Sequence, residues 1–453
     1  MTFTISGLAQ LKGSTVIGRN PYALGGFNPK LILDFTTGTY SDGAGSNTLS
    51  SITTFSRASS ATYMDASGVM QTATSGTVRD AHHEYDGASW NRTLLLETDD
   101  ATNLCLQFDC SGFNSVANAT FTANSGNSPV GASTAGLWTE NSASGTHTVR
   151  TDIDAVTSTG RHTRSFLMKS NGRDHWVVTA GSSRVAGTSS GNSNWSVAID
   201  LSAGTVVEAL GRTECGIEDF GGGWYRVWVA FNALSVGVVP MTFGAREVAG
   251  GSSVYTGDGT SGAYFAAMQT TAGDYPFMFI PTSGSTVTRA AETLQINAAS
   301  MPWSSTGIST VIKCNIDYVD DNSLGGRMIW NWGLSGNDLH LKLSTFEGKT
   351  GNPHLWQRAG GTYVRSNYNT VDIYSPGRRV PMKLGSRHIV GETQLIAEGT
   401  ALVAGTGTTA IPTNSGQPFE PFSQGTIAIN GTIDLIEVWD ADIGATNLET
   451  GTA

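Results

Sequence analysis

Short apolar segments separated by turn residues run through most of the chain, and this pattern constrains the fold more than any other feature. Apolar and polar residues alternate in segments such as DHWVVTA (174–180), WYRVWVAF (224–231) and HLWQRAG (354–360). Alternation with a period of two is typical of β-strands that bury one face. The runs between them, such as GTSSGNSN and TGDGTSG, favour turns. Because no heptad repeat or sustained helical period is present, the pattern predicts an all-β protein.

The strand candidates fall into two groups. Seven lie between residues 146 and 271, and seven more lie between residues 308 and 440. Seven strands at this spacing are typical of a two-sheet sandwich. A chain of 453 residues is too long for one core, and its 17 Phe, 12 Tyr and 11 Trp residues can bury large areas. The sequence predicts two successive β-sandwich (jelly-roll) domains, preceded by an irregular N-terminal attachment region.

Charge and hydropathy argue against two classes of partner. The formal net charge is −11 and no basic run occurs, whereas nucleic-acid contacts need clustered Lys and Arg. No stretch approaches 18 apolar residues, so no membrane-spanning helix is expected. The N-terminal MTFTISGLAQLKGS lacks the cationic start and apolar block of a signal peptide, so we expect synthesis in a host cytoplasm. The four cysteines form no CxxC, and free, partly buried thiols are expected.

One sequence segment indicates a class of proteins more specifically than the composition does. Residues 55–73 read FSRASSATYMDASGVMQTA, and a Tyr-Asp pair and the segment TLLLETDDATNL follow it. This succession resembles a module of bacteriophage tail and virion-surface proteins, which carry a phrase of the form F-x-R-A-S-x-A-x-Y-x-D-x-x-G. The matching residues are Phe55, Arg57, Ala58, Ser59, Ala61, Tyr63, Asp65, Gly68, Tyr85, Asp86, Leu95, Leu96, Glu97, Thr102, Asn103 and Leu104.

Later segments extend the resemblance over most of residues 50–445. GGGWYRVWVAF and GDGTSGAYFAAMQTT look like the end of a carbohydrate-binding-module-like jelly roll, and GTIAINGTIDLIEVWDADI looks like the closing strand of a concanavalin-A-like, laminin-G-like sandwich. The resemblance implies four regions. They are an attachment or oligomerisation segment (1–50), a virion module linker (51–104), a jelly roll (105–287) and a second sandwich (288–453). TTFSRASS (53–60) and STVTRAAE (285–292) echo each other, and we interpret this echo as a feature of junctions.

Proteins of this kind are tail fibres, tail spikes or head fibres, and their sandwiches often contact host-surface glycans. The resemblance therefore implies a structural, non-enzymatic protein on the virion surface that takes part in host attachment. It further implies a homotrimer, contacts with other virion proteins through the N-terminal region, and binding of host surface carbohydrate. No cofactor is expected.

Hydrolysis is the main alternative, because concanavalin-like sandwiches also carry glycanases. Retaining glycosidases need two carboxylates about 5 Å apart, and glucanases of this fold place their acids in an E-x-D-x-x-E strand. The segment TIDLIE offers Asp434 and Glu437, but Thr432 stands where the first acid belongs. A polar face on a terminal strand is the preferred interpretation. A tail-associated glycanase or depolymerase is the second hypothesis, and a secreted lectin-like adhesin, which needs a signal peptide, is the third.

Metal ligation has one weak candidate. The segment DYVDDN places Asp317, Asp320 and Asp321 close together, and calcium prefers oxygen ligands. The segment lacks the glycine and the terminal glutamate of an EF-hand loop, so a solvated turn is the favoured interpretation. His82 and His83 are adjacent, and neighbouring side chains of a strand point to opposite faces, which disfavours chelation of one metal by both.

Aromatic residues are the best candidates for ligand binding. Trp224, Arg226 and Trp228 share one face of a predicted strand, and one face of that strand must be core. If the alternate Tyr and Val residues are buried, the Trp-Arg-Trp face is available to stack on a sugar ring; otherwise both tryptophans are core. Trp330 and Trp332 pose the same question. The candidate glycan-binding residues are therefore Trp224, Arg226, Trp228, Trp330 and Trp332.

Overall fold

The computed structural model describes residues 20–151, 155–181, 185–186, 194–210, 214–320, 323–346, 349–422 and 429–453. Strands dominate these residues, which confirms the predicted all-β class. Two helices, α1 (Leu49–Ile52) and α2 (Ala445–Thr452), and a 3-10 helix (Ala298–Ser300) accompany them. None of the helices in this part of the chain has the length and apolar character needed to cross a membrane.

The strands fall into three stretches of the chain. The first stretch contains β1 (Leu31–Asp34), β2 (Thr39–Ser41), β3 (Thr53–Ser56), β4 (Ala61–Met64), β5 (Met70–Ala73), β6 (Arg79–Tyr85), β7 (Trp90–Glu97) and β8 (Ala101–Asn103). The second contains β9 (Phe113–Ala117), β10 (Ala119–Ser128), β11 (Gly131–Glu140), β12 (Ser144–Thr146), β13 (Thr148–Thr151), β14 (Ala155–Val156), β15 (Gly160–Asn171), β16 (His175–Gly181), β17 (Val185–Ala186), β18 (Asn194–Asp200), β19 (Thr205–Leu210), β20 (Cys215–Asp219), β21 (Trp224–Ala233), β22 (Gly237–Val238), β23 (Met241–Arg246), β24 (Val254–Thr256) and β25 (Gly262–Ala272). The third contains β26 (Val287–Arg289), β27 (Thr293–Ile296), β28 (Ile308–Tyr318), β29 (Ser323–Leu334), β30 (Asn337–Phe346), β31 (Lys349–Ala359), β32 (Thr362–Ser366), β33 (Gly377–Ile389), β34 (Glu392–Ala397), β35 (Thr400–Ala401), β36 (Gly405–Thr406), β37 (Phe419–Pro421) and β38 (Asn430–Trp439).

The first and third stretches together form one sandwich, which we call the discontinuous sandwich. Its sheet A runs β2-β1-β38-β28-β33-β34-β35, with β7 beside β38, β6 beside β7 and β36 beside β34. Its sheet B runs β3-β27-β37-β29-β30-β31-β32. Leu31 lies opposite Val438 in the β1–β38 pair, and Phe55 lies opposite Leu294 in the β3–β27 pair. Strands from both ends of the chain therefore complete the same two sheets.

This pairing corrects the predicted separation of residues 1–50 and 51–104 from residues 288–453. The part of the first region that the structure describes, residues 20–50, supplies strands β1 and β2 to sheet A, and residues 1–19 lie outside the described chain. Strands β6 and β7 extend the same sheet. Strands β1 and β7 both pair with β38, which lies hundreds of residues further along the sequence, so local composition gave no indication of these pairings.

The second stretch forms an inserted domain with two sheets of its own. Sheet C runs β10-β11-β25-β15-β21-β17, with β20 on β21, and sheet D runs β19-β18-β16-β23-β13-β9. Strands β8 and β26 pair in antiparallel fashion, with Asn103 opposite Val287. The chain thus leaves and re-enters the discontinuous sandwich through one two-stranded ribbon.

Three apolar clusters hold these parts together, and strand β7 contributes to two of them. Leu94 and Leu96 point into the core between sheets A and B, whereas Leu95 packs in a cluster at the junction with the inserted domain. Full burial of one leucine contributes about 1.5–3 kcal/mol. Burial on both faces explains the consecutive leucines in TLLLE, because a strand with one solvent-exposed face would alternate apolar and polar residues.

Candidate functional site

The predicted Trp-Arg-Trp face of β21 is buried. Trp224 and Trp228 are each 7% exposed and Arg226 is 1% exposed. Trp224 packs with Leu95 in the apolar cluster at the junction with the inserted domain, and the ring of Trp228 lies edge-on to Tyr275, with 5.5 Å between centroids. The opposite face of β21 packs into the core of the inserted domain. Both faces of this strand are therefore covered, and the prediction of a sugar-stacking surface here is wrong.

Trp330 and Trp332 also lie in a core. Both are fully buried between sheets A and B. The ring of Trp330 stacks on Phe419 with 5.2 Å between centroids, and Trp332 Nε1 donates to the Gln417 carbonyl at 3.0 Å. Neither ring presents a face to solvent, so this part of the prediction is corrected as well.

Of the candidate calcium residues, Asp317 is engaged by two arginines. The Asp317 carboxylate accepts from the backbone N–H of Arg379 at 2.7 Å, and its second oxygen faces the guanidinium groups of Arg378 and Arg379 at 3.5 and 3.3 Å. Asp320 is exposed, and Asp321 lies outside the described residues. Within the described chain, no group of three or more His, Cys, Asp and Glu side chains is placed to hold a metal. Because two arginines already neutralise Asp317, it is poorly suited to ligate calcium with Asp320.

Two of the residues that carried the resemblance, Arg57 and Glu97, belong to a buried ionic cluster, which we call the junction cluster. Its members are Arg57, Arg79, Glu97, Arg289 and Glu292. Glu292 pairs with Arg57 at 2.6 Å and with Arg79 at 2.6 Å. Glu97 pairs with Arg79 at 2.9 Å and with Arg289 at 3.3 Å. All five side chains are at most 2% exposed, so every buried charge in the cluster has an opposite partner.

Backbone groups complete the junction cluster and tie the two domains to it. The N–H of Met278, which follows the last long strand of the inserted domain, donates to Glu97 at 2.7 Å. The N–H of Glu97 donates to Glu292 at 2.8 Å. Burial by itself raises the pKa of Glu97, but Arg289 and Arg79 lower it well below its ordinary value overall. The echo between the two Arg-Ala phrases is explained, since Arg57 and Arg289 reach the same cluster.

A cleft lies beside the junction cluster where the three stretches of chain meet, and we call it the junction cleft. Its volume is about 290 Å³, close to the lower limit for small-molecule pockets. The lining residues are Met64, His82, His83, Glu84, Tyr85, Trp90, Glu218, Asp219, Phe220, Arg226, Met278, Arg378 and Arg379.

Aromatic rings form one wall of the junction cleft. The rings of Tyr85 and Trp90 lie 5.4 Å apart, and those of Trp90 and Phe220 lie 6.1 Å apart. His82 Nδ1 accepts from the backbone N–H of Met64 at 3.1 Å, and burial lowers the pKa of His82. This wall is apolar and neutral at physiological pH.

Ion pairs form the opposite wall of the junction cleft. Arg378 binds both carboxylate oxygens of Glu218, at 2.5 and 3.1 Å. Arg379 donates to Glu84 at 2.7 Å. Burial raises the pKa of Glu84, but Arg379 and His82 lower it below its ordinary value overall. The Glu84 carboxylate is therefore ionised and able to accept hydrogen bonds.

The outer face of sheet B carries a second candidate surface, formed by Trp356, Tyr363, Arg365 and Tyr368. We call it the aromatic platform. Leu355 points into the core of the discontinuous sandwich, so its neighbour Trp356 points outward. The ring of Trp356 lies 5.4 Å from Tyr363 and 5.6 Å from Tyr368. Tyr363 is 53% exposed and Tyr368 is 41% exposed, so this cluster reaches solvent where the predicted tryptophans do not.

Arg365 lies over all three rings of the platform. Its guanidinium carbon is 3.8 Å from the centroid of Tyr368 and 4.7 Å from the centroids of Trp356 and Tyr363. Stacking of this kind is worth about 0.5–1 kcal/mol at an exposed site. No carboxylate of the described residues pairs with Arg365, so its donors remain available to a ligand.

A polar rim borders the platform on strands β30 and β31. Asp338 accepts from Arg358 at 2.7 and 2.8 Å and from His340 Nδ1. Burial raises the pKa of Asp338, but His340 and Arg358 lower it overall. Burial, together with the charge of His340, lowers the pKa of His354 to about 3. His354 Nδ1 and Trp356 Nε1 are buried without a hydrogen-bond partner, so two polar atoms beside the platform are unsatisfied.

A groove runs from the platform along strand β32. Its volume is about 360 Å³. The lining residues are Tyr363, Val364, Arg365, Asn367, Tyr368, Thr370, Val403, Ala404, Gly405 and Thr406. The sequence predicted the strand HLWQRAG but gave no reason to prefer Trp356 over other tryptophans. The alternation of Leu355 with Trp356 was the available signal, and it needed the sheet order to be interpreted.

The acids of the TIDLIE segment lie on the face of sheet A that points away from the sandwich core. Thr93 donates to Asp434 at 2.7 Å, and a bulge separates the Ile433 and Leu435 pairings with β28. Burial raises the pKa of Glu437 to about 7 and also raises the pKa of Asp434. Glu437 is 4% exposed, so its carboxyl group is covered rather than presented to a polysaccharide chain.

Comparisons with known proteins give no family assignment. No protein-family model matches the chain, and no curated protein matches it. Solved structures with partial similarity include the carbohydrate-binding module (CBM40) of the Ruminococcus gnavus IT-sialidase, at 15% identity over 33% of this chain and 84% of that chain, with a TM-score of 0.26. Domain 4 of AbnA, an extracellular GH43 arabinanase of Geobacillus stearothermophilus in complex with arabinotriose, is 12% identical over 36% of this chain and 73% of that chain (TM-score 0.29). A leech intramolecular trans-sialidase is 18% identical over 33% of this chain and 23% of that chain (TM-score 0.26).

Proposed function

We propose that this chain is a non-enzymatic bacteriophage virion-surface protein that binds host-surface glycan through the aromatic platform. One observation carries the proposal. Three aromatic rings and an arginine without an acidic partner share the solvent side of sheet B, next to a groove of about 360 Å³. The tryptophans predicted to bind glycan, Trp224, Trp228, Trp330 and Trp332, are buried, whereas Tyr363 and Tyr368 of the platform are exposed.

The chemistry of the platform suits a sugar. A pyranose ring presents apolar C–H groups on its faces and hydroxyl groups on its edge. Aromatic side chains supply a rigid, amphipathic contact area for such faces. Arg365 offers donors to the hydroxyl oxygens of the sugar. Aromatic contacts combined with a few placed polar groups are the usual composition of a small-molecule site.

The placement on a virion rests on the resemblance of residues 55–104. Arg57 and Glu97, two of the matching residues, belong to the junction cluster, which fixes the inserted domain to the discontinuous sandwich. A rigid joint of this kind suits a protein that projects from a particle. Homotrimer formation and attachment to other virion proteins through residues 1–50 are further parts of the proposal.

Binding to purified host capsule or lipopolysaccharide tests the glycan part of the proposal. We expect Tyr363→Ala to weaken binding by about two- to tenfold, since loss of an aromatic contact is worth about 0.5–1.5 kcal/mol. Phe27→Ala is the matched control, because Phe27 is 42% exposed and lies outside the platform. Equal affinities of the wild type and the Tyr363 variant would overturn the assignment to the platform.

Two further measurements test the remaining parts. Antibody labelling of purified particles, viewed by electron microscopy, is expected to place the chain on the particle surface. Absence of the chain from particles would overturn the virion assignment. A reducing-sugar assay on the same polysaccharides is expected to show no release, and release above a heat-treated control would favour the depolymerase instead.

A further inference from the structure

Arg226 lines the junction cleft as a buried cation that lacks an acidic partner. Its side chain is 1% exposed. One terminal nitrogen donates to the Phe277 carbonyl at 2.5 Å and to Ser165 Oγ at 3.0 Å, whereas Nε has no partner. Its guanidinium carbon lies 4.4 Å from the centroid of the Phe279 ring. None of the carboxylates in the described chain forms an ion pair with it.

This arrangement is unfavourable in an empty cleft. A buried charge without an opposite partner costs several kcal/mol. Burial, together with the nearby charge of Arg378, lowers the pKa of Arg226 to about 9. Arg378 and Arg379, on the same cleft, are each paired with a carboxylate. Among the arginines that line the cleft, Arg226 is therefore the one for which the described residues provide no ion pair, and a carboxylate of a ligand would supply it.

The rest of the cleft indicates which groups an anion bound beside Arg226 would carry. Tyr85, Trp90 and Phe220 provide an aromatic wall for a ring. Glu84 and Glu218 are ion-paired, but carboxylate oxygens accept more than one hydrogen bond and suit hydroxyl donors. A volume of about 290 Å³ fits a ligand of monosaccharide size rather than a polymer.

We propose that the junction cleft binds a sugar acid, with the carboxylate of the sugar against Arg226 and its ring against Trp90. This site is separate from the aromatic platform. It would recognise the acidic residue at an end or branch of a glycan, because the cleft has room for one ring.

Isothermal titration calorimetry on the full chain tests this proposal. The probes are galacturonate, glucuronate and N-acetylneuraminate, with galactose and glucose as neutral counterparts and acetate as a carboxylate without a ring. We expect at least one sugar acid to bind, the neutral sugar to bind at least tenfold more weakly, and acetate to bind weakly. Equal binding of neutral and acidic sugars would overturn the role of Arg226. Equal binding of acetate and the sugar acids would show that the cleft does not recognise the sugar ring. Absence of binding by all three acids would overturn the proposal as a whole.

Variants separate the two surfaces. Arg226→Met is expected to reduce sugar-acid affinity at least tenfold. Trp90→Ala is expected to reduce it to a similar extent while leaving the buried arginine in place, because the Trp90 ring is half-buried. Tyr363→Ala on the platform is the control and should leave sugar-acid binding unchanged. A thermal unfolding curve for each variant shows whether it is folded. Full affinity in a folded Arg226→Met and in Trp90→Ala would contradict the site, whatever the result for polysaccharide binding at the platform.

Discussion

The junction cluster and the wall of the junction cleft both bury arginine, but they treat its charge differently. In the cluster, Arg57 and Arg79 meet Glu292 at 2.6 Å, so their positions are fixed by opposite charges. In the cleft, the partners of Arg226 among the described residues are neutral acceptors and an aromatic ring. A buried charge with an opposite partner indicates a structural role, because breaking the pair destabilises the fold. A buried arginine that lines a cavity without an ion pair instead indicates a binding site for an anion.

The same contrast separates two buried glutamates. Glu97, in the cluster, has its pKa lowered overall by Arg289 and Arg79 against the effect of burial. Glu437, on sheet A, has its pKa raised to about 7, because burial dominates and Lys313 compensates only in part. Folding therefore stabilises the ionised form of Glu97 and destabilises the ionised form of Glu437.

The largest effect is expected from Glu292→Gln. The substitution keeps the shape of the side chain but removes the charge that Arg57 and Arg79 share. Breaking a buried ion pair on one side costs about 3–5 kcal/mol, and we expect a loss of this size in the free energy of unfolding. Denaturant titration followed by tryptophan fluorescence measures it. A loss below about 1 kcal/mol would show that the cluster does not hold the junction together.

The next effect depends on pH and concerns Glu437→Gln. Its folded-state pKa of about 7 lies above the ordinary value of 4.5, so the folded protein retains a proton that the unfolded chain releases. Wild-type stability therefore falls between pH 4.5 and 7, and at pH 8 the variant should be more stable by on the order of 3 kcal/mol. The advantage should vanish at pH 4. Unfolding titrations at both pH values test this, and a difference independent of pH would contradict it.

The contribution of Glu97 to the free energy of unfolding should depend on pH in the opposite direction. Because its folded-state pKa is lowered, its stabilisation is present above pH 4.5 and is lost as the pH falls through the folded-state value. Glu97→Gln should therefore be destabilised relative to wild type at neutral pH, with the difference shrinking in acid. The same titrations, extended to pH 3, provide the comparison.

A smaller effect is expected from Arg226→Met in the absence of ligand. The Phe277 carbonyl keeps a donor, because the Gln269 amide also reaches it at 3.1 Å. Replacement of an unpaired buried charge by an apolar side chain is often neutral or stabilising, so stability should change by less than about 1 kcal/mol or rise. A loss of 3 kcal/mol or more would assign Arg226 to architecture and weaken the case for a ligand.

The smallest effect is expected from Glu392→Gln. Glu392 pairs with Arg387 at the surface, where both side chains are partly exposed, and Arg387 keeps its bonds to Asp442 at 2.7 and 2.8 Å. Exposed pairs contribute about 0–1 kcal/mol. Thermal unfolding of this variant beside Glu292→Gln measures the difference between an exposed and a buried pair directly. Similar losses in the two variants would contradict the contrast.

Much of the secondary structure was predictable from local sequence. The segment WYRVWVAF (224–231) lies within β21, Trp224–Ala233, and NDLHLKLST (337–345) lies within β30, Asn337–Phe346. Alternation of apolar and polar residues is a property of the strand itself. The resemblance was equally local, and Arg57 and Glu97 proved to be structural residues of the junction cluster.

The candidate site was not predictable in the same way. Alternation divides a strand into two faces, but it does not say which face meets another sheet. Trp330 and Trp356 both belong to sheet B, yet one ring is enclosed between the sheets and the other faces outward. Trp224 is buried although the other face of its strand is already core, because a second domain covers it.

The sequence alone determined that this chain forms turn-separated strands with enough aromatic residues for large cores, because a period of two and the turn residues act over a few positions. Tertiary structure decided which rings reach solvent and that strands from both ends of the chain share sheets A and B. It also decided that no carboxylate of the described residues pairs with Arg226. Those outcomes depend on contacts between residues far apart in the chain, and the free energy of such contacts is set only when the surfaces meet.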